Sequence, residues 1–191
     1  MPESNHTDEE LVALSLSDKD AFAHLVYRYA PKLRTYIARI SGLGSEDIED
    51  ILQDSFVRIY EHLNDFDPLL SFSSWAYRIT HNQTMTFFRK RKARPEGHLK
   101  LLSDEELTSF SASTDVFADS AATYDGSKLR EVLTTLTKEY YDVLVLRYFE
   151  HKSYDEISDI LSLAPGTVAV RLSRAKARIK KTMEANGYHY A

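Results

Sequence analysis

The chain has 191 residues and a formal net charge of −5, and 43% of its residues are hydrophobic, enough for one or two domains with buried cores. It contains no cysteine, which excludes disulfide frameworks and cysteine-based metal sites. No apolar stretch approaches the ~18 residues of a membrane span, and the acidic, polar N-terminus is unlike a signal peptide, so we expect a cytoplasmic protein.

The N-terminal segment predicts two helices. Thr7 and Glu10 have the three-residue spacing of a capping box, which opens the first helix. Apolar residues spaced i, i+3, i+4, i+7 over 22–40 predict the second, and Gly42 and Gly44 are placed to end it.

A third helix is predicted from Ser45, with its buried side formed by apolar residues over 48–63. Asp50, Gln53 and Asp54 repeat at i, i+3, i+4, so they share the opposite, exposed face. A carboxylate-bridged metal site on this helix is an alternative, but none of its acids is followed three residues later by histidine, as bundle metal sites require. We therefore expect no catalytic residue, no cofactor and no metal.

An aromatic and basic segment follows the predicted loop 64–71. Residues 72–94 include several aromatic rings, and five of the last six residues are basic. Rings that stack on bases and cations that meet phosphates suit single-stranded nucleic acid, while an amide such as that of Asn82 can read a base edge. The alternative, that rings at helical spacing fill a core, stays open. The candidate contacts are Phe72, Trp75, Tyr77, Arg78, Asn82, Arg89 and Lys90.

Residues 95–127 differ from both flanking regions. They hold seven acidic residues and one lysine, without a sustained hydrophobic period. This composition predicts a flexible acidic linker. It is either a solubilising tether or a polyanion that occupies a cationic nucleic-acid channel of a partner.

The second half predicts four more helices. Residues 129–136 have a short amphipathic pattern, and residues 140–149 are apolar nearly all round, as expected of a buried helix. Ser153 and Glu156 form a second capping box, and Pro165 suits the first position of a last helix. Two helices joined by so short a turn have the arrangement of a helix-turn-helix.

The last helix combines an apolar seam with a cationic surface. Val168, Leu172, Ala175 and Ile179 recur at i, i+4, i+7, i+11, and residues 160–183 contain six basic and no acidic residues. An ordinary hairpin with a solvated basic face is the alternative to DNA binding. In the DNA-binding interpretation the first turns enter the major groove, where arginine can hold guanine by two hydrogen bonds, and later cations meet phosphates. The candidate DNA contacts are Thr167, Val170, Arg171, Arg174, Arg178, Lys180 and Lys181.

Three stretches resemble one family. SYDEISDIL followed by TVAVRLSRAKARIKK resembles the promoter-reading helix-turn-helix of bacterial sigma factors. IEDILQDSFVRIYEHL is similar to their polymerase-binding helix, and FSSWAYRITHN to the segment that melts and reads the −10 element. Their order and separation resemble the small sigma factors of the extracytoplasmic-function group.

The resemblance implies a non-catalytic subunit that binds core RNA polymerase, recognises the −35 and −10 promoter elements and helps to open the duplex. Asp50, Gln53 and Asp54 would contact polymerase, and an anti-sigma factor is a further possible partner. The fold implied is all-α, with two small helical domains over 7–94 and 128–184. A helix-turn-helix regulator with an N-terminal sensor domain is the alternative, and it would require a dimer for paired half-sites.

Overall fold

The computed structural model describes residues 6–91 and 126–185. The predicted linker therefore lies almost wholly outside the described residues, as do the last basic residues before it. Every regular element in the described ranges is helical, which confirms the all-α prediction. The described helices form two compact units, the first within residues 6–91 and the second within residues 126–158 and 162–185.

The first unit contains four helices and one 3₁₀ turn. Their bounds are α1, Asp8–Ser15; α2, Lys19–Ser41; α3, Ser45–Glu61; a 3₁₀ turn, Leu63–Asp65; and α4, Phe72–Arg91.

Local chemistry sets several of these bounds. The predicted capping box is present, because the Thr7 hydroxyl accepts from the Glu10 N–H at 3.2 Å and Glu10 accepts from the Thr7 N–H at 2.9 Å. The Asp18 side chain caps α2, and Gly42, at φ 64°, ends it in the left-handed region that glycine adopts without strain.

The core of the first unit lies where α2, α3 and α4 pack together. Leu25, Leu33 and Ile37 of α2 are fully buried, in agreement with the predicted apolar pattern. The buried Tyr36 hydroxyl lies 2.9 Å from Nδ1 of His81, so this polar pair links α2 to α4 inside the core.

In the part of the second unit that the structure describes, there are four helices and a π-helical segment. Their bounds are α5, Gly126–Thr134; α6, Lys138–Leu144; a π-helical segment, Val145–Phe149; α7, Tyr154–Leu161; and α8, Pro165–Ala185. The helix predicted over 140–149 thus changes its hydrogen-bonding pattern at Val145. The chain then turns at His151, which has a positive φ of 54°.

The predicted helix-turn-helix is present. Ser153 and Glu156 form the expected capping box at the start of α7, and the turn passes through Ser162 at φ 53° before α8 begins at Pro165. The predicted seam of α8 is buried and extends one turn further, to Met183. Helix α8 packs on α5 and α6. No helix in the two described ranges is both long and apolar enough to cross a membrane.

Candidate functional site

The exposed face of α3 carries the predicted acidic cluster. Asp50, Gln53 and Asp54 are all exposed, and within the described residues they form no hydrogen bond or ion pair. Glu49, on a different side of the helix, pairs instead with Arg34 of α2. The three predicted residues can therefore be desolvated by a partner without breaking a described contact. Their binding to polymerase stays a prediction.

An apolar side chain extends this acidic face. Val57 is 56% exposed, and it follows Asp50, Gln53 and Asp54 at the i+7 position of the same helical stripe. Its exposure could not be read from hydrophobicity, because valine in an amphipathic helix is ordinarily assigned to the core. The face thus combines two carboxylates and an amide with a small apolar surface.

Two of the rings predicted to stack on bases lie in the core, which corrects the prediction for them. Phe72 is 1% exposed and Tyr77 is 3% exposed. The Phe72 ring contacts Tyr29 of α2 edge-on, with centroids 5.2 Å apart, and Tyr77 packs on Tyr36 at 5.0 Å. A stacking platform needs an open ring face. Phe72 and Tyr77 offer none, so we assign both rings to packing.

Trp75 occupies a boundary position. It is 8% exposed and packs against Phe66 and Phe72, so most of the indole belongs to the same aromatic cluster. Its remaining surface lines an open groove of about 450 Å³ between α3 and α4. The groove is lined by Arg58, His62, Asp65, Trp75, Arg78, Ile79, Asn82 and Gln83.

The groove brings together two of the predicted −10 residues. Arg78 and Asn82 are one helical turn apart on α4, and both line it. Gln83 adds a second amide that the sequence reasoning did not select. The apolar surface of Trp75 and Ile79, bordered by amides and guanidinium groups, can hold one flat base and hydrogen-bond its edge. Binding of DNA here stays a prediction.

The predicted cations at the end of α4 are exposed. Arg89 donates a hydrogen bond to the Thr86 hydroxyl at 2.8 Å, and that hydroxyl donates to the Asn82 carbonyl at 2.8 Å. Lys90 is exposed beside it. These side chains lie one to two turns beyond Asn82 on the same helix, where they can meet phosphates that flank a base held in the groove.

The outward face of α8 differs in part from the predicted one. Thr167, Val170 and Arg174 are exposed, as expected. Ala169 and Ser173 are exposed as well, and sequence reasoning missed them because their side chains carry neither charge nor bulk. The face combines a valine that can contact a thymine methyl with an arginine that can hold guanine.

Arg171 is less exposed than this outward face, and it has a partner within the second unit. Its side chain is 25% exposed, and its guanidinium Nη2 lies 3.3 Å from a carboxylate oxygen of Glu139 on α6. A guanidinium engaged in an ion pair has fewer donors left for a base. The role predicted for Arg171 in base reading therefore competes with a contact inside the second unit.

The remaining cations of α8 point outward. Lys180 and Lys181 are exposed, and the Arg178 guanidinium lies over the Tyr140 ring of α6, 4.8 Å from its centroid. The predicted phosphate contacts are thus on the surface, as binding to a DNA backbone requires.

The capping box of α7 anchors the turn that precedes this helix. Burial raises the pKa of Glu156, but the hydrogen bond from the Ser153 N–H and the nearby Lys152 ammonium outweigh it and hold that pKa below its ordinary value. Lys152 is itself buried and lies 3.0 Å from the Glu156 carboxylate. The charged form of Glu156 is therefore the one that the fold stabilises.

Comparison with family models and known proteins covers both units. Residues 25–94 match the model of Sigma-70 region 2, and residues 127–179 match a model of Sigma-70 region 4. The chain is 32% identical to the ECF RNA polymerase sigma factor SigW of Bacillus subtilis over 175 residues, which cover 87% of this chain and 90% of SigW.

A second relative is known in sequence and structure. The chain is 30% identical to the RNA polymerase sigma factor CnrH of Cupriavidus metallidurans, over 94% of this chain and 95% of CnrH. It also resembles the structure of CnrH in complex with the cytosolic domain of CnrY, with a TM-score of 0.66 and 25% identity in the structural alignment. That alignment covers 93% of this chain and 97% of CnrH.

Proposed function

The chain belongs to the extracytoplasmic-function group of RNA polymerase sigma factors, and we propose how its surfaces divide the work of that family. It is a promoter-recognising initiation factor that binds core RNA polymerase and promoter DNA, and it is not an enzyme. In our proposal one surface docks on polymerase, a second receives the opened −10 strand, and a third reads the −35 element.

The observation that carries this proposal is the orientation of α8. Its apolar seam is buried while Thr167, Val170 and Arg174 point outward from its first turns. In a helix-turn-helix those turns enter the major groove. We assign base reading to this face and backbone contacts to Arg178, Lys180 and Lys181.

We assign the opened −10 strand to the groove beside Trp75. Promoter opening requires a partner for an unstacked base, and the groove offers an apolar wall together with the Asn82 amide and the Arg78 guanidinium. Arg89 and Lys90, further along α4, would hold the neighbouring phosphates. The buried ring of Phe72 packs against Trp75 and so supports this groove from the core.

We assign polymerase docking to Asp50, Gln53 and Asp54 on α3. A net charge of −5 opposes binding of the whole chain to DNA. Delivery by polymerase overcomes that repulsion, because a bound sigma factor needs no long-range attraction of its own to DNA. This division agrees with exposed acids on α3 and exposed cations on α8.

We also propose the domain bounds, compartment and further partner of the chain. Domains over 7–94 and 128–184, joined by the acidic linker 95–127, are consistent with the two family matches. The cytoplasm is the compartment where polymerase and DNA meet. The relative CnrH was solved in complex with the cytosolic domain of CnrY, and a protein of the anti-sigma type is the corresponding partner that we propose here.

The docking surface is tested by measuring the affinity of the full chain for core polymerase. Asp50→Ala and Asp54→Ala together should weaken binding by about 2 kcal/mol or more, since truncating a charge desolvated at an interface is costly. The matched control is Glu9→Ala with Asp20→Ala, which removes the same charge from exposed positions on α1 and α2. Equal loss in both double variants would show a general charge effect and would remove the docking assignment.

The −10 assignment is tested by promoter opening with the holoenzyme. Asn82→Ala should leave polymerase affinity unchanged, slow opening and alter the preference at one −10 position, because the amide supplies both a donor and an acceptor. A panel of −35 substitutions serves as the internal control, since that preference should not change. Unaltered opening and unaltered −10 preference would exclude Asn82 from base reading.

A further inference from the structure

A small cationic cleft lies on the second unit, where α6 meets the C-terminal half of α8. It has a volume of about 390 Å³ and is lined by Tyr140, Arg174, Ala177, Arg178 and Lys181. The three cations recur at i, i+4 and i+7 on α8, so they form one stripe along the helix. Ala177 leaves the space between them open.

Tyr140 holds one of these cations in place. The Arg178 guanidinium lies over its ring, 4.8 Å from the centroid. A cation–π contact restrains the guanidinium through its charge and does not require its N–H donors as a conventional hydrogen bond does. Within the described residues Arg178 makes no hydrogen bond or ion pair, so its donors remain available for an anion.

Arg171 gives the contrasting case on the same two helices. Its Nη2 is engaged by the Glu139 carboxylate, one residue before Tyr140 in α6. Two neighbouring residues of α6 therefore make different kinds of contact with two arginines of α8. Glu139 pairs with one nitrogen of Arg171, whereas Tyr140 contacts Arg178 through its ring alone.

We propose that this cleft clamps one phosphate of the DNA backbone at the −35 element, and that Tyr140 acts as a positioning residue for Arg178. The inference rests on the proposed reading of the −35 element by α8, and it adds a residue of α6 to that interface. The Arg178 guanidinium and the Lys181 ammonium suit a phosphodiester, because guanidinium N–H donors match two of its oxygens and the ammonium adds a second positive charge. The stripe meets the proposed base-reading face at Arg174. The phosphate therefore belongs to the DNA backbone next to the base pairs that are read.

The experiment uses holoenzyme with the full chain and duplex promoters in which single phosphates around the −35 element are replaced by neutral methylphosphonates. The wild-type protein should lose affinity at one phosphate in particular. Tyr140→Leu should weaken binding to unmodified DNA about two- to fivefold, the range of an exposed cation–π contact. It should also lose most of the sensitivity at that one phosphate, whereas a structural defect would weaken all the duplexes alike.

Two further variants distinguish the effect of the Tyr140 ring from a general loss of structure. Tyr140→Phe keeps the ring and should behave like wild type at the sensitive phosphate. Tyr154→Leu removes a second tyrosine of this unit, whose ring lies under Arg147 at 5.4 Å, and should leave the sensitivity at that phosphate intact. Circular dichroism of each variant establishes that the helices are formed.

Several results would overturn the inference. They are full phosphate sensitivity in Tyr140→Leu, loss of it in Tyr140→Phe, or an altered base preference in place of a backbone effect. Failure of the proposed function looks different, because the wild-type holoenzyme would then show no preference among −35 sequences. If the wild-type holoenzyme shows a −35 preference but Tyr140→Leu has no effect, only the proposal about the cleft is rejected.

Discussion

Helices α4 and α8 are the two proposed DNA-contacting helices, and they bury their residues in opposite ways. Helix α4 packs against α1, α2 and α3, and most of its aromatic residues, together with Thr80 and Thr84, are turned inward. Helix α8 buries one seam and leaves almost all of its cations on the surface.

The contrast shows for which residue types burial or exposure can be predicted from the sequence. An aromatic ring suits both a core and a base stack, so Phe72 and Tyr77 could not be assigned from spacing. A cation is costly to bury without a partner, so the cations of α8 were correctly placed on the surface. The exception is Arg171, where a carboxylate from another helix supplies the partner.

The largest expected effect tests the burial of Phe72 of α4 in the core. Phe72→Ala should lower the free energy of unfolding by about 3–5 kcal/mol, because it leaves a cavity among Tyr29, Phe66 and Trp75. Chemical denaturation of the full chain measures it. Leu69→Ala is the control, since Leu69 is 91% exposed and should change stability by less than about 0.5 kcal/mol. A similar small effect for both would mean that Phe72 is not a core residue.

The next effect tests the role of the exposed cations of α8. Arg174→Ala should cost about 1–3 kcal/mol of discrimination at one −35 base pair, because arginine can hold guanine by two hydrogen bonds. Its stability should match wild type, since the side chain is exposed. Binding of holoenzyme to single −35 substitutions measures the preference, and Lys180→Ala should weaken every sequence alike. Equal loss on all sequences for Arg174→Ala would move this residue from base reading to backbone contact.

A smaller effect is expected for Arg171, the cation of α8 that pairs with Glu139. Arg171→Ala should weaken binding to all −35 sequences alike by less than about 1 kcal/mol, because its partly exposed pair with Glu139 only orients α8 on α6. Glu139→Gln should give a similar loss, and the double variant should add little to either. Relaxed preference at one base pair in Arg171→Ala would show that the arginine leaves Glu139 to read DNA.

The smallest expected effect concerns the support of α8 by the capping box of α7. The pKa of Glu156 is lowered in the folded state, so its contribution to stability is complete above the ordinary value of 4.5 and is lost as pH falls through the folded value. Glu156→Gln should cost about 0.5 kcal/mol at pH 7. The difference should shrink on acidification below about pH 4.5. A difference independent of pH would assign the effect to packing and not to charge.

The helices, their order and the helix-turn-helix could be predicted from the sequence alone. Capping boxes at Thr7 and Ser153, the glycine at position 42 and the periodic seam of α8 are local features, set by residues within a few turns of each other. Local hydrogen bonding and periodicity suffice for them, because neither requires knowledge of which helices pack together. Exposure of Asp50, Gln53 and Asp54 followed from the same periodicity.

Which rings and cations remain available to DNA depends on tertiary packing. Phe72 is buried because α2 supplies Tyr29, and Arg171 is paired because α6 supplies Glu139, and neither partner is near in sequence. The groove beside Trp75 and the cleft beside Tyr140 likewise exist because two helices meet there. Contacts between residues distant in the chain depend on packing geometry, which the spacing of residues within one helix does not specify.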